Sequence, residues 1–125
     1  MDDALEEAAK ALERGEVPVG AVIVEKSGNI IARAGNETRA RLDPSAHAEV
    51  LAIRQACTAL KTERLVDCDM YVTLEPCAMC AALIANARIR RIYFAASDPK
   101  SVGFSKVQEF SIINKRTMFQ KYIRE

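Results

Sequence analysis

The chain has 125 residues, half of them apolar, which is enough for one domain with a buried core and no disulfide support. Lys plus Arg number 18 and Asp plus Glu 17, and this balance excludes a disordered charged tail or a histone-like binder. No apolar run approaches the roughly 20 residues of a membrane span, and the chain begins Met1-Asp2-Asp3 rather than with a basic, apolar leader. We therefore expect a single soluble domain, residues 1–125, in the cytoplasm.

The first predicted elements are a helix and a β-hairpin. Apolar residues at helical spacing, acidic residues in the first turn and a stop at Gly15 predict a helix over residues 3–14. Residues 20–24 and 30–34 are strand-like apolar runs joined by the turn residues 27–29, which predicts an antiparallel pair.

The middle of the chain predicts a parallel crossover. A polar loop over residues 39–45 precedes a predicted helix over residues 46–60. A strand over residues 70–74, a helix over residues 77–87 and a strand over residues 89–95 follow with short joints, and this order implies parallel strands.

The end of the chain predicts a loop over residues 99–104 and an amphipathic helix over residues 116–124. Together, the elements predict an α/β fold: a three-layer α/β/α sandwich whose mixed central sheet has an antiparallel hairpin and parallel strands.

Charge is distributed unevenly along the chain. Residues 1–87 carry 9 basic and 14 acidic side chains, whereas residues 88–125 carry 9 basic and 3 acidic ones. A basic C-terminal third suits a phosphate backbone, because each neutralised phosphate releases counterions, and it equally suits an ordinary solvated surface. Charge alone leaves both interpretations open.

Three residues have the spacing of one metal site. The single histidine, His47, lies 30 positions before Cys77, which forms a Cys-x-x-Cys pair with Cys80. At the start of a helix both sulfurs can face one centre, and the helix N-terminus favours the thiolate form that zinc requires. Thiolate with imidazole favours Zn²⁺ over Mg²⁺ or Ca²⁺, so the pattern predicts one zinc ion held by His47, Cys77 and Cys80.

A fourth residue suggests that this zinc is catalytic. Three protein ligands leave the fourth position to water, as in catalytic zinc sites, whereas structural zinc normally has four protein ligands. Water on zinc becomes a nucleophile near neutral pH, and Glu49, two residues after His47, can carry its proton without binding the metal. His-x-Glu followed by Pro-Cys-x-x-Cys is the pattern of zinc-dependent deaminases.

Other interpretations of these residues stay open. Cys77 and Cys80 could be a thioredoxin-like redox pair, although this leaves the position of His47 unexplained. Cys68 could complete a structural zinc site, whereas Cys57 lies ten residues beyond His47 on one helix, on the order of 15 Å away. Glu49 could simply favour the helix dipole in a first turn.

Three longer stretches carry a family resemblance, namely Glu16-Val17-Pro18-Val19-Gly20-Ala21-Val22, Asp43-Pro44-Ser45-Ala46-His47-Ala48-Glu49 and Tyr71-Val72-Thr73-Leu74-Glu75-Pro76-Cys77-Ala78-Met79-Cys80. With them, the sequence resembles the cytidine deaminase superfamily and, within it, the bacterial tRNA-specific adenosine deaminases. The likeness extends from about residue 3 to Lys100. A guanine deaminase would typically have Pro-Phe-Gly where this chain has Pro18-Val19-Gly20.

The resemblance implies hydrolysis of adenosine to inosine at the wobble position of a tRNA anticodon, with zinc on the three ligands above and Glu49 as acid and base. It implies a homodimer that shares its anticodon sites. The residues that would contact the substrate are Asn36, Ala48, Asp98 and Lys100. Asn36 also suits a simple turn after Gly35.

After Lys100 the sequence departs from the family pattern and finishes early. Because the family binds RNA with this region, the resemblance supports the type of reaction more strongly than the identity of the substrate. A zinc-dependent deaminase of a free base or nucleoside is therefore the second interpretation, and a non-catalytic structural zinc module is the third. The candidate phosphate-binding side chains are Arg88, Arg90, Arg91, Lys100, Lys106, Lys115, Arg116, Lys121 and Arg124.

Overall fold

The computed structural model describes residues 1–98 and the backbone of residues 118–121. In chain order the elements are α1 (Asp2–Glu13), β1 (Gly20–Val24), β2 (Ile30–Gly35), α2 (Ala48–Leu60), β3 (Asp69–Leu74), α3 (Ala78–Asn86), β4 (Arg91–Ala96) and β5 (Met118–Lys121). The predicted elements before residue 97 are confirmed, and their ends differ by two residues at most.

The strands form one mixed sheet in the order β2-β1-β3-β4-β5. Strand β1 pairs antiparallel with both β2 and β3, while β3 with β4 and β4 with β5 pair in parallel. The predicted hairpin and parallel crossover are both confirmed.

Helix α1 packs against one face of this sheet at two glycines. A Cβ atom on Gly20 would overlap the carbonyl oxygen of Ala4 and lie 2.5 Å from the amide nitrogen of Ala8. A Cβ atom on Gly35 would lie 2.8 Å from the carbonyl oxygen of Glu7. Glycine at both positions therefore lets the helix backbone approach the strands directly.

The opposite face of the sheet carries the main hydrophobic core, where α2 and α3 pack. Alternate strand residues enter it because side chains of a strand point to the two faces in turn. The core residues include Ile23, Met70, Val72, Ile92 and Phe94 from the strands and Leu51, Ile53 and Ile84 from the helices. Helices on both faces of a mixed sheet confirm the predicted three-layer α/β/α sandwich.

The predicted helix over residues 116–124 is wrong for residues 118–121, which form strand β5. Arg91 pairs with Met118, and Phe94 pairs with Lys121. The edge of β4 that faces away from β3 offers backbone N–H and C=O groups for pairing. Hydrogen bonds to this edge stabilise a short segment more than formation of an equally short helix would. The predicted loop over residues 99–104, with Lys100, lies outside the described residues.

Within the described residues 1–98 and 118–121, none of the helices combines the length and apolar composition that crossing a bilayer requires.

Candidate metal and substrate site

The starts of α2 and α3 bring the three predicted metal ligands together. His47 and Cys77 are the N-cap residues of these helices, both with extended backbone, and Cys80 lies in the first turn of α3. The ligand atoms of the three residues all lie within 4.8 Å of one another. The short loops before the two helices thus bring together residues 30 positions apart in the chain.

The spacing of these atoms fits a tetrahedral zinc ion. The Nδ1 atom of His47 lies 3.4 Å from the sulfur of Cys80 and 3.7 Å from that of Cys77. Usual Zn–N and Zn–S bonds at tetrahedral angles put such atoms about 3.6 Å apart. Nδ1 is therefore the histidine nitrogen that would bind the metal.

The other two cysteines lie outside this group of ligand atoms. Cys68 is buried in the hydrophobic core and Cys57 is half-buried on α2, and both are free thiols. Among the described residues, the only such cluster contains His47, Cys77 and Cys80 without a fourth protein ligand. This arrangement favours a metal site with an open position over a four-ligand structural site.

The two sulfurs of the cluster share a proton unequally. A hydrogen bond from the Cys80 thiol, as the largest cause, lowers the pKa of Cys77 to about 5. The same hydrogen bond, together with burial, raises the pKa of Cys80. Cys77 is thus the sulfur that loses its proton more readily, and the thiolate is the form that binds a metal cation.

Glu49 is a buried carboxyl group beside the three predicted metal ligands. Only 4% of the residue is exposed, and its burial is the main reason why its pKa is raised. Its side chain is hydrogen-bonded with Cys80 and lines the same cavity as His47 and Cys77. A carboxyl group in this position can exchange protons with a molecule bound in the cavity.

The cluster lies in a cavity of about 250 Å³. The residues that line it are Val17, Val19, Asn36, Thr38, His47, Glu49, Leu74, Glu75, Cys77 and Asp98. Most of the predicted site residues of the described chain are therefore gathered in one place, with Cys80 fully buried beside it.

Asn36 and Ala48 are joined by a hydrogen bond at the cavity. The side-chain oxygen of Asn36 accepts the N–H of Ala48, the first residue of α2, at 2.8 Å. Asn36 thereby caps the helix in place of His47, which makes no side-chain cap. Ala48 is fully buried, so its predicted contact with the substrate stays a prediction.

Asp98 also lines the cavity, and it is held by a residue to which the sequence assigned no role. The Glu75 carboxylate accepts the N–H of Asp98 at 3.1 Å, and the Glu75 N–H donates to the carbonyl oxygen of Ala96 at 2.8 Å. In the sequence, the position of Glu75 directly before Pro76-Cys77 was the one sign that it belongs to the site. Lys100, the other residue predicted on this loop, is not described.

Thr38 is a second cavity residue that the sequence did not single out, because it lies between the predicted strand 30–34 and the predicted loop 39–45 and belongs to no motif. Among the candidate phosphate-binding residues, Arg90 is already engaged. Its guanidinium forms two hydrogen bonds with the Asp69 carboxylate, at 2.9 and 2.7 Å. Arg90 therefore joins the starts of β3 and β4.

Comparison with known proteins gives relatives over most of the chain. The MafB19-like deaminase family matches residues 1–125. A tRNA-specific adenosine deaminase of Agrobacterium fabrum is 60% identical over 100 residues, which are 80% of this chain and 65% of that protein. A tRNA-specific adenosine deaminase of Aquifex aeolicus is 49% identical over 115 residues, which are 92% of this chain and 74% of that protein.

Solved structures also share the fold. A chain from a study of A-to-I editing by tRNA:A34 deaminases is 59% identical, with a TM-score of 0.79, over 81% of this chain and 77% of its own length. Guanine deaminase of Bacillus subtilis is 38% identical, with a TM-score of 0.75, over 91% of this chain and 71% of its own length. By its matched residues, its ligand cluster and its fold, this chain belongs to the MafB19-like deaminase family.

Proposed function

We propose that this protein is a cytoplasmic hydrolase that converts adenosine to inosine at the wobble position of a tRNA anticodon. The observation that carries the proposal is the three-ligand cluster of His47, Cys77 and Cys80 beside the buried Glu49 in one cavity. The identity of 60% and 49% with relatives named tRNA-specific adenosine deaminase supports the choice of substrate.

His47, Cys77 and Cys80 would hold one zinc ion, and their atomic spacing fits that ion. A zinc ion bound there supplies Lewis-acid activation of a water molecule.

Glu49 would move the protons of the reaction. Its carboxylate accepts a proton from the attacking water and delivers it to N1 of the adenine ring as the oxygen adds to C6. It then takes the remaining hydroxyl proton and passes it to the departing amino group, which leaves as ammonia. One carboxyl group in contact with the cavity suffices, because the two transfers occur in sequence.

The cavity would take one nucleoside. A volume of about 250 Å³ admits a flipped-out base and excludes a stacked duplex. Unstacking costs less in a hairpin loop than in a helix, which favours an anticodon loop. Asn36 would donate from its amide nitrogen, since its oxygen already accepts from Ala48, and Asp98 would contact the substrate from its own place in the cavity lining. The family resemblance assigns Lys100 a contact with the substrate as well.

The proposed partners are the tRNA anticodon stem-loop and a second copy of the chain in a homodimer. The basic residues 88–125 would contribute phosphate contacts, with Arg90 excluded by its pairing to Asp69. Light scattering of the purified protein tests the dimer, because a monomer at working concentration would contradict it.

The direct test is incubation of the zinc-loaded protein with an anticodon stem-loop that carries a wobble adenosine. Digestion to nucleosides and chromatography measure the inosine formed. The matched control RNA moves the adenosine to a neighbouring loop position. Inosine from the first RNA and little from the second is the expected result, and no product from either would overturn the proposal.

Deamination of a free base is the second candidate, favoured by the 38% identity to a guanine deaminase structure over 91% of this chain. Val19 bears on this choice, because it lines the cavity where a guanine deaminase would typically have phenylalanine. Ammonia release from free guanine, without inosine formation in RNA, would establish the rival function.

A further inference from the structure

Glu16 is a buried carboxylate outside the metal cluster. It follows the end of α1, and only 4% of it is exposed. One carboxylate oxygen accepts the N–H of Arg39 at 3.1 Å and the hydroxyl of Thr38 at 3.4 Å. The other oxygen accepts the N–H of Ala40 at 3.0 Å.

These donors belong to a single turn, residues 37–42, which closes on itself. The N–H of Arg41 donates to the carbonyl oxygen of Glu37 at 2.9 Å, and the N–H of Asp43 donates to that of Thr38 at 3.0 Å. Leu42 ends the turn in the left-handed region, with φ of 51°. The backbone N–H groups at the start of such a turn have no partner within it, so Glu16 supplies the acceptors.

The turn forms part of the cavity wall. Thr38 lines the cavity, and Asn36 lies two residues before it. Two further hydrogen bonds join the segment that contains Glu16 to this part of the wall. The Arg14 guanidinium donates to the carbonyl oxygen of Asn36 at 3.3 Å. The Arg39 guanidinium, next to Thr38 in the chain, donates to the carbonyl oxygen of Gly15 at 3.2 Å. Since the Thr38 hydroxyl proton is directed to Glu16, its oxygen is left to accept from a ligand.

We propose that Glu16 is a positioning residue, whose carboxylate holds the turn of residues 37–42 so that Thr38 and Asn36 shape the substrate cavity. For the effect on catalysis, this inference rests on the proposed function. Hydrogen bonds, that from the Ala40 N–H above all, lower the pKa of Glu16 and keep it a carboxylate at neutral pH.

Limited proteolysis tests the hold on the turn without reference to activity. Arg39 and Arg41 are exposed, so trypsin reports how often the turn opens. Glu16→Gln replaces one acceptor oxygen with a donor that faces the Ala40 N–H. Cleavage after these two arginines should accelerate at least about tenfold, with cleavage elsewhere unchanged.

The matched control is Glu13→Gln, which removes an exposed carboxylate from the last turn of α1. It should leave the cleavage rates as in the wild type. The proposal would be overturned if trypsin cleaved after Arg39 and Arg41 no faster in Glu16→Gln than in the wild type. If Glu16→Gln does not fold, Thr38→Val with the wild-type Glu16 gives the milder version of the same measurement.

Kinetics with the stem-loop RNA separates positioning from a merely structural role. Glu16→Gln should raise KM at least about tenfold and change kcat less than about threefold, because Glu16 acts on the wall and not on the reacting atoms. The effect of Thr38→Val should shrink in the Glu16→Gln background, because both remove the same orientation. A fall in kcat as large as the rise in KM would contradict the proposal. Additive effects of Glu16→Gln and Thr38→Val would contradict it as well.

The two proposals fail separately. If wild-type protein forms no inosine, the proposed function fails, and tryptic cleavage still decides whether Glu16 holds the turn. If inosine forms and the cleavage rates do not differ, only the role of Glu16 fails.

Discussion

The side-chain oxygen of Asn36 accepts the first backbone N–H of helix α2, that of Ala48, at 2.8 Å. The residue directly after β2 thus caps the helix that begins beside the predicted metal ligand His47. This hydrogen bond engages the side-chain oxygen of Asn36 within the fold, so the amide nitrogen of Asn36 is the atom that can donate to a ligand.

Asn36→Asp should separate these two roles. An aspartate still accepts the Ala48 N–H and favours the helix dipole, so thermal stability should change little. It cannot donate, so turnover of the stem-loop RNA should fall at least about tenfold, the value of one hydrogen bond. Thermal melts and kinetics of the same sample check both parts, and unchanged turnover would show that Asn36 is structural alone.

Glu49→Gln should remove the proton transfers and keep the shape of the site. We expect at least about a hundredfold loss of kcat, the lower end for a general acid–base group. Zinc content, measured by plasma mass spectrometry, should stay at the wild-type level because Glu49 lies outside the ligand set. Full activity of the variant would show that Glu49 is not the acid–base group, whereas a wild type without any turnover would support the non-catalytic zinc module.

Cys77→Ala should abolish stoichiometric zinc binding. The wild type is expected to hold one zinc ion per chain, and the variant none, because the remaining imidazole and one sulfur make a weak site. Cys57→Ser is the matched control, since its thiol lies outside the ligand group. Loss of zinc from the control as well would contradict the assigned ligands.

Gly20→Ala should destabilise the protein through the contact between α1 and the sheet. The added Cβ meets backbone atoms of Ala4 and Ala8, which cannot move without shifting the helix. We expect a loss of about 1–3 kcal/mol or more in the free energy of unfolding, measured with urea. Gly28→Asn serves as the control and should cost less, because a Cβ there meets nothing within 4 Å. Its remaining cost is the backbone strain at a φ of 92°, and asparagine tolerates positive φ better than most residues.

Glu16 should stabilise the folded protein more at neutral pH than at acidic pH. Because hydrogen bonding lowers its pKa in the folded protein, its contribution is fully present above its unfolded pKa of about 4.5 and is lost as the pH falls through the folded value. The difference in unfolding free energy between wild type and Glu16→Gln should therefore narrow as the solution is acidified from neutral pH. A constant difference would contradict the assignment.

Sequence reasoning predicted the elements through β4 because each is a local pattern longer than a turn. It failed at β5, where a short segment with helical periodicity pairs with β4 instead. The state of such a segment depends on the edge it meets, and its own residues do not encode that edge.

In the site, residues with a metal-binding or acid–base chemistry of their own were predictable, and residues that act by holding a neighbouring segment were not. His47, Glu49, Cys77 and Cys80 were identified because their chemistry is specific and their spacing suits two helix starts. Thr38 and Glu16 were assigned no role, because a threonine in a turn is ordinary in isolation and because Glu16, although it begins one of the family stretches, has no partner nearby in the sequence. Their roles come from hydrogen bonds across 22 to 24 residues of chain.

By itself the sequence predicted the ligand types, the acid–base group and hence the kind of reaction, because these predictions depend on which side chains stand within two short motifs, His47-x-Glu49 and Cys77-x-x-Cys80. The tertiary structure decided that Nδ1 of His47 faces the sulfurs, that Cys68 lies in the core away from them, and that the Asn36 oxygen is engaged. These are relations between distant segments, and only the packing of helices on the sheet sets the distances between them.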